Sequence, residues 1–188
     1  YGTAKERKRI LKSLKGYCRS GLMHRDAYLA ILRLVQLTDD TVSIQKNLIQ
    51  ELLTAPKEEE TTTTLPLLEI ALSDTASKLF LLVLVDDEAR RNKFLDPYER
   101  EVLSPNPVVV MEDGQEVPTS KKDPDIRRKE LLKYLREPWI ELCSQHANEL
   151  LRSIPGSAVL REVYRAFRPA VSVVEAILNA CDESLQDE

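Results

Sequence analysis

Apolar residues recur along this chain at helical spacing, three and four apart, in short stretches separated by capping and breaking residues. The clearest stretch runs from Ser120 to Phe167. Asp123 suits a helix N-cap and Pro124 the first helical position, where a missing N–H leaves no partner waiting. Ile126, Leu131, Leu132 and Leu135 then mark one side, with Arg127, Arg128, Lys129, Lys133 and Arg136 on the other. Pro138 is expected to close this helix and open the next, because proline cannot donate in mid-helix. Trp139, Leu142, Cys143, Ala147, Leu150 and Leu151 supply the second stripe. Pro155-Gly156 breaks the chain again, and Val159, Leu160, Val163, Tyr164 and Phe167 continue the pattern.

Upstream, Thr3-x-x-Glu6 is a capping-box pattern opening a helix with Ile10, Leu11, Leu14, Tyr17 and Cys18 on one side and Gly21 just past its end. A strongly apolar helix follows from about Arg25 to Leu37, through AYLAILRLV. Asp39 or Asp40 caps a third, with Val42, Ile44, Leu48, Ile49 and Leu52 facing in. The polar run Thr54–Thr64 reads as an inserted loop. Leu65–Leu72 forms a short helix ending near Ser73, Asp74 caps the apolar SKLFLLVLV, and Tyr98–Leu103 adds a turn before Pro105 and Pro107. Asp113-Gly114 permits a small hairpin, but its surroundings are read as a long loop. A last helix from Pro169 to about Cys181 presents Val171, Val174, Ile177 and Leu178 to cap the stack.

The apolar middle helix thus recurs near Ala27, Ser77 and Ser157. Helix triplets of this kind predict an all-α superhelical solenoid of Pumilio-type three-helix repeats, with two polar insertion loops. Residues 1–188 are read as a single helical-repeat domain: 1–53 a first repeat, 54–64 a polar loop, 65–103 a second repeat, 104–122 a long loop, and 123–188 the last repeat or repeats with a capping helix.

Composition bounds the function. The 188 residues are 43% hydrophobic, enough for a sizeable core, yet no apolar run approaches the roughly 20 residues of a membrane span. The basic opening lacks the apolar core of a signal peptide, and the chain begins as if within a structural unit, as an excised fragment would. Cys18, Cys143 and Cys181 each lie in an apolar helical pattern and are expected to be buried thiols, which fits a reducing compartment.

A net charge of −4 argues against a nucleic-acid binder, but the charge is segregated. Lys5, Arg7, Lys8, Arg9, Lys12, Lys15, Arg19 and Arg25 crowd the start, and Lys121, Lys122, Arg127, Arg128, Lys129, Lys133 and Arg136 form a second cluster. Acid gathers elsewhere, in Glu58-Glu59-Glu60, Asp86-Asp87-Glu88, Glu112-Asp113 and the tail from Asp182. The clusters are either a phosphate-contacting face or solvated helix surfaces. If they converge on one surface, RNA is favoured; if they scatter among acids, a protein-interaction scaffold is.

No HExxH, CxxC, glycine-rich phosphate loop, GxSxG or Cys–His pairing occurs, so neither a metal, a cofactor nor an enzyme is expected. His24 and His146 stand far apart. Asp39-Asp40 and Asp86-Asp87-Glu88 read as caps or surface charge, and Trp139 and Tyr28 as core.

Particular residues also carry a resemblance: Gly2-Thr3 with Lys5 and Arg7, the Tyr28–Leu32 run, Asp39-Asp40-Thr41, Ser120-Lys121-Lys122-Asp123, Ile126–Leu132, and His146-Ala147 with Glu149-Leu150-Leu151. Together they resemble the C-terminal Puf-like (CPL) region of the Puf-A family of nucleolar Pumilio-like proteins. The resemblance implies an all-α superhelix and non-catalytic RNA binding without sequence specificity. It further implies a role in large ribosomal subunit assembly in the nucleolus of the nucleus, with pre-rRNA and other assembly proteins as partners. Some members repress translation of a bound mRNA.

In sequence-reading Pumilio proteins each middle helix offers two edge-reading side chains and a stacking one. Aligning the middle helices puts Ala27, Tyr28 and Ile31 in those slots, then Ser77, Lys78 and Leu81, then Ser157, Ala158 and Arg161. Ala27, Ile31 and Leu81 cannot hydrogen-bond a base edge. Only Ser157 with Arg161 retains the capacity, so phosphate contact is the better expectation. The candidate RNA-binding set is Lys5, Arg7, Lys8, Arg9, Lys12, Lys15, Arg25, Lys121, Lys122, Arg127, Arg128, Lys129 and Arg161. Changing Arg127, Arg128 and Lys129 to Glu is expected to weaken RNA binding without unfolding the domain. The alternative is a scaffold docking other ribosome-assembly proteins through acidic loops or an apolar groove.

Overall fold

The capping box forms as its sequence predicts: Thr3 Oγ1 accepts the Glu6 N–H at 3.3 Å and Glu6 accepts the Thr3 N–H at 2.6 Å. It opens α1 (Ala4–Ser13). The computed structural model describes residues 3–54, 66–104, 109–168 and 171–186. Gly16, at φ 89°, turns the chain into α2 (Cys18–Met23), so Gly21 lies inside a second helix rather than past the end of the first. Ile10 and Tyr17 are exposed, and only Leu11 and Cys18 of that predicted stripe are fully buried.

α3 (Tyr28–Leu37) buries Leu29, Ile31, Leu32, Leu34, Val35 and Leu37, as a middle layer must. Asp40 caps α4 (Thr41–Ile44), accepting the Ser43 N–H at 2.9 Å; a π turn at Gln45–Ile49 leads on to α5 (Gln50–Leu53). Ile44, Leu48, Ile49 and Leu52 face in. Val42 does not, because two residues of helical advance turn it almost opposite to Ile44.

The second unit holds α6 (Pro66–Leu72) and α7 (Ser77–Leu84). Asp74 is exposed and is not the cap; Ser73 Oγ accepts the Ala76 N–H at 3.2 Å instead. α8 (Glu88–Arg91), capped by Asp87, was not anticipated; α9 (Pro97–Val102) begins with an Asp96–Glu99 capping box. Apart from Thr54, the polar loop expected at 54–64 lies outside the described residues, as do Pro105 and Pro107.

The long loop expected over 104–122 contains a hairpin. β1 (Val109–Glu112) pairs antiparallel with β2 (Gln115–Pro118), Val110 opposite Val117. Asp113 (φ 50°) and Gly114 (φ 77°) make the two-residue turn with both φ positive that suits strand twist. Its short, exposed strands lack the alternation that would have signalled them.

α10 (Pro124–Gln145) corrects the reading of Pro138, for the helix runs through it without a break. Arg127, Leu131, Leu135, Trp139, Leu142 and Cys143 are all buried, one stripe continuing across the proline. Tyr134, whose carbonyl Pro138 has no N–H to meet, sits on the exposed side where water can serve. Packing outweighs the lost bond: Trp139 is fully buried and meets Phe80 of α7 edge to face, centroids 4.2 Å apart.

α11 (Ala147–Leu151) and α12 (Ile154–Phe167) follow, the latter capped by Ser153 with Pro155 in its first turn. The break therefore precedes Pro155-Gly156 rather than falling on it. Gly156 allows a close approach, since a Cβ there would lie 2.7 Å from the Leu150 carbonyl oxygen. α13 (Val171–Gln186) closes the chain with Val173 and Ala180 buried and Ile177 packed on the core. Val171, Val174 and Leu178, expected to cap the stack, are exposed.

The three middle helices stack in the order α3, α7, α12. α10, about 33 Å long at 1.5 Å per residue, runs beside them, touching α4, the π turn, α7, α12 and α13. This is an all-α superhelix of Pumilio type.

Candidate nucleic-acid interface

Asp39 and Asp40 form the turn between α3 and α4, and both basic clusters meet there. Asp40 Oδ2 accepts Lys8 Nζ of α1 at 2.6 Å. Asp39 accepts Arg127 Nη2 at 2.8 Å, Ser120 Oγ at 2.7 Å and the Lys121 N–H at 2.7 Å. Arg7 of α1 donates to the Thr119 carbonyl, and Arg127 donates to the carbonyls of Gln36 and Lys122. Burial opposes ionisation of Asp39, but the bonds from Ser120, Lys121 and Arg127 outweigh it and hold the carboxyl down to about 2. Asp40 is likewise held at about 2, chiefly by Lys8 and then Ser43.

This convergence has an internal and an external part. Arg7 (2% exposed) and Arg127 (6% exposed) are interior residues whose guanidiniums bind backbone carbonyls and Asp39. Arg128 is half-buried, donating to the Leu84 carbonyl at 3.3 Å with Asp86 at 3.7 Å. All three were expected to contact RNA; burial makes Arg7 and Arg127 structural ties, while Arg128 is a tie at Leu84 that remains part-exposed. The Arg127/Arg128/Lys129→Glu change would bury carboxylates beside Asp39 and Asp86, so unfolding is its expected result.

The exposed candidates are Lys5, Lys8, Arg9, Lys12, Lys15, Arg25, Lys121, Lys129 and Arg161, with Lys122 half-buried. Lys5, Lys8, Arg9 and Lys12 follow each other at helical spacing down the outer side of α1, turned away from buried Arg7, so they form one stripe. Lys122 pairs with Glu130 at 2.7 Å. Arg161 stands apart from the stripe, bonded to Glu162 at 3.2 Å and 5.6 Å from the Phe94 ring centre.

A residue the sequence reading missed governs the base-reading slots. Glu99 of α9 is completely buried and accepts the Tyr28 hydroxyl, Lys78 Nζ and the Asp96 N–H. Lys78 Nζ also lies 5.6 Å from the Tyr28 ring centre. The middle slots of the first two units are thus tied to α9 rather than presented to bases. The Tyr28 hydroxyl is pushed well above its ordinary pKa by burial and then by Glu99. The Asp96-Pro97-x-Glu99 capping pattern could have flagged this helix, though not its tertiary partners. Glu162, also buried, gathers Arg90 at 3.1 Å and Arg165 at 2.7 Å.

Cys18 and Cys143 are buried, their thiols pushed up to about 12, by burial in both and by Glu51 also at Cys18. Cys181 is exposed, contrary to expectation, because it lies on the outer side of α13 next to buried Ala180. Among the described residues no group of three or more His, Cys, Asp or Glu could hold a metal, and no helix is long and apolar enough to cross a membrane. Ile10, Leu14, Tyr17, Ala27, Ile31 and Leu34 line an apolar groove of about 760 Å3 over α1 to α3.

Comparison with known proteins agrees with this architecture. Residues 93–188 match the CPL (NUC119) domain family. The chain is 28% identical over 181 residues to Pumilio homolog 3 of Danio rerio, covering 94% of this chain and 25% of that protein. It is 32% identical over 157 residues to Pumilio homology domain family member 6 of Schizosaccharomyces pombe, covering 84% of this chain and 22% of that one. The chain therefore spans about a quarter of the length of these relatives. The crystal structure of human Puf-A in complex with DNA superposes with a TM-score of 0.70 at 23% identity, over 95% of this chain and 30% of that one.

Proposed function

We propose, for a chain that belongs to the CPL (NUC119) domain family, a non-catalytic RNA-gripping module that contacts the sugar–phosphate backbone without reading sequence. The observation that carries this is the lysine and arginine stripe Lys5, Lys8, Arg9 and Lys12, joined through Asp39 and Asp40 to the segment bearing Lys121. Exposed cations at helical spacing suit phosphates, which give affinity but no sequence information. The Glu99 tie to Tyr28 and Lys78 supports the lack of base readout. That human Puf-A was crystallised with DNA supports nucleic acid as the partner class.

The resemblance to Puf-A supports the finer assignment: pre-rRNA as the RNA, assembly of the large ribosomal subunit as the process, and the nucleolus as the place. Repression of a bound mRNA is the secondary use that the same resemblance supports. A second reading, a scaffold docking another assembly protein, is favoured by one observation: the apolar groove flanked by exposed Ile10 and Tyr17.

Fluorescence anisotropy with labelled random-sequence RNA over a salt series tests the proposal. Affinity falling steeply with salt and varying little among sequences supports backbone gripping. Absence of binding at low salt, with a protein partner captured through the groove, selects the scaffold.

A further inference from the structure

The C-terminal ends of α3 and α7 are capped by arginines. Arg127 donates to the Gln36 carbonyl of α3. At α7, Arg128 donates to the Leu84 carbonyl at 3.3 Å and Arg91 to the Val85 carbonyl at 3.1 Å. These three guanidiniums, together with Arg33, line one cavity of about 530 Å3, and Lys121 and Lys122 add two more cations from the segment that crosses it. Two carboxylates, Asp123 and Asp125, share the lining, and Asp123 is engaged in capping α10. Asp39 and Asp86 pair with Arg127 and Arg128 respectively.

The cations outnumber what capping needs. Arg91 and Arg128 each place Nη2 on a carbonyl, and the Nε of each is buried without a hydrogen-bond partner among the described residues. Burial chiefly disfavours the Arg91 charge, Glu88 favours it and Arg128 disfavours it; a bound anion would favour it further. The cavity also has an apolar side, made by Val35, Leu82 and Leu131. An inorganic anion would leave that side unused. A nucleotide uses both, its phosphate on the planar guanidiniums and its base or ribose against the aliphatic residues. The volume is in the range of small-ligand sites, roughly 300 to 1,000 Å3.

We propose that this cavity binds one nucleotide unit through its phosphate, with Arg91, Arg128 and Lys121 as the anion-holding residues. The inference deepens the RNA-gripping reading and rests on it for the view that the unit belongs to an RNA strand; a free mononucleotide is the other source of the same chemistry.

The test is an amide NMR titration of the whole chain with uridine 5′-monophosphate, and separately with a short 5′-phosphorylated RNA, for the wild type, Arg91→Gln and Lys121→Gln. Saturable shifts at Arg91, Leu82 and Lys121, weakened about tenfold by each substitution as expected for one charge-assisted contact, uphold the proposal. Lys121→Gln guards against misfolding, since the Lys121 backbone rather than its side chain binds Asp39. Shifts with the RNA alone identify a strand as the source, and shifts with the monophosphate alone identify the free nucleotide. RNA binding that persists unchanged in both variants overturns the nucleotide site while leaving backbone gripping intact. Saturable monophosphate binding without RNA binding upholds the site and overturns the RNA reading. No saturable shift at these residues with either probe overturns the site.

Discussion

Arg127 Nη2 and Asp39 Oδ1 lie 2.8 Å apart although 88 residues separate them in sequence, and this pair ties the long helix α10 to the turn after α3. Without Arg127, Asp39 keeps the neutral donors Ser120 and the Lys121 N–H but loses its charged partner. Arg127→Ala should destabilise the fold by about 3 kcal/mol, because a buried guanidinium is lost together with its bonds to Asp39 and to the Gln36 and Lys122 carbonyls. Urea unfolding measures it. A midpoint unmoved from wild type would mean that the pair is not a tie.

The same carboxylate sets an acid limit. With Asp39 and Asp40 both held at about 2 in the folded state, against about 3.9 when unfolded, folding is favoured while they are ionised. Their contribution is complete above about pH 5 and declines as pH falls toward 2, with Asp39 contributing roughly 2 kcal/mol and the more exposed Asp40 less. Asp39→Asn should flatten this part of the stability–pH curve. An unchanged curve in that variant would rule Asp39 out as a contributor.

Glu99 makes a comparable prediction for the middle slots. Glu99→Gln keeps the shape but leaves Lys78 beside a neutral group and weakens the bond from Tyr28. The expected loss is about 2 kcal/mol, as for a charged hydrogen bond in a buried setting, read as a lower thermal midpoint. A midpoint equal to wild type would show that α9 is not fastened there.

Much of this architecture was legible. The stacked middle helices, the capping box at Thr3 and the Asp123–Pro124 start of α10 follow from local chemistry and period. Arg127 was misread because a charged residue on a helix looks exposed when its partner is distant in sequence. The stripe itself held the correction: Arg127, Leu131, Leu135, Trp139 and Leu142 share one face and continue past Pro138. The Glu99 junction was not legible, since only folding brings α9 against Tyr28 and Lys78. The hairpin's turn was visible at Asp113-Gly114, but its strands are too short and exposed to show a buried face.

Thiol chemistry offers an independent check on the packing. Cys181 should react promptly with an aromatic disulfide reagent, whereas Cys18 and Cys143, buried and held protonated, should react only on unfolding. One fast thiol followed by two in denaturant is the expected count. Three fast thiols would contradict the burial of α2 and α10.

The most direct test of RNA gripping is the salt slope of RNA binding in wild type and in a Lys5→Gln, Arg9→Gln, Lys12→Gln variant. These side chains are exposed on α1, so the fold should survive. If each meets one phosphate of a single strand, the log–log slope should become shallower by about 2, roughly 0.7 per contact, with weaker binding to every sequence alike. Equal slopes in the two proteins would contradict the stripe as the RNA-gripping surface.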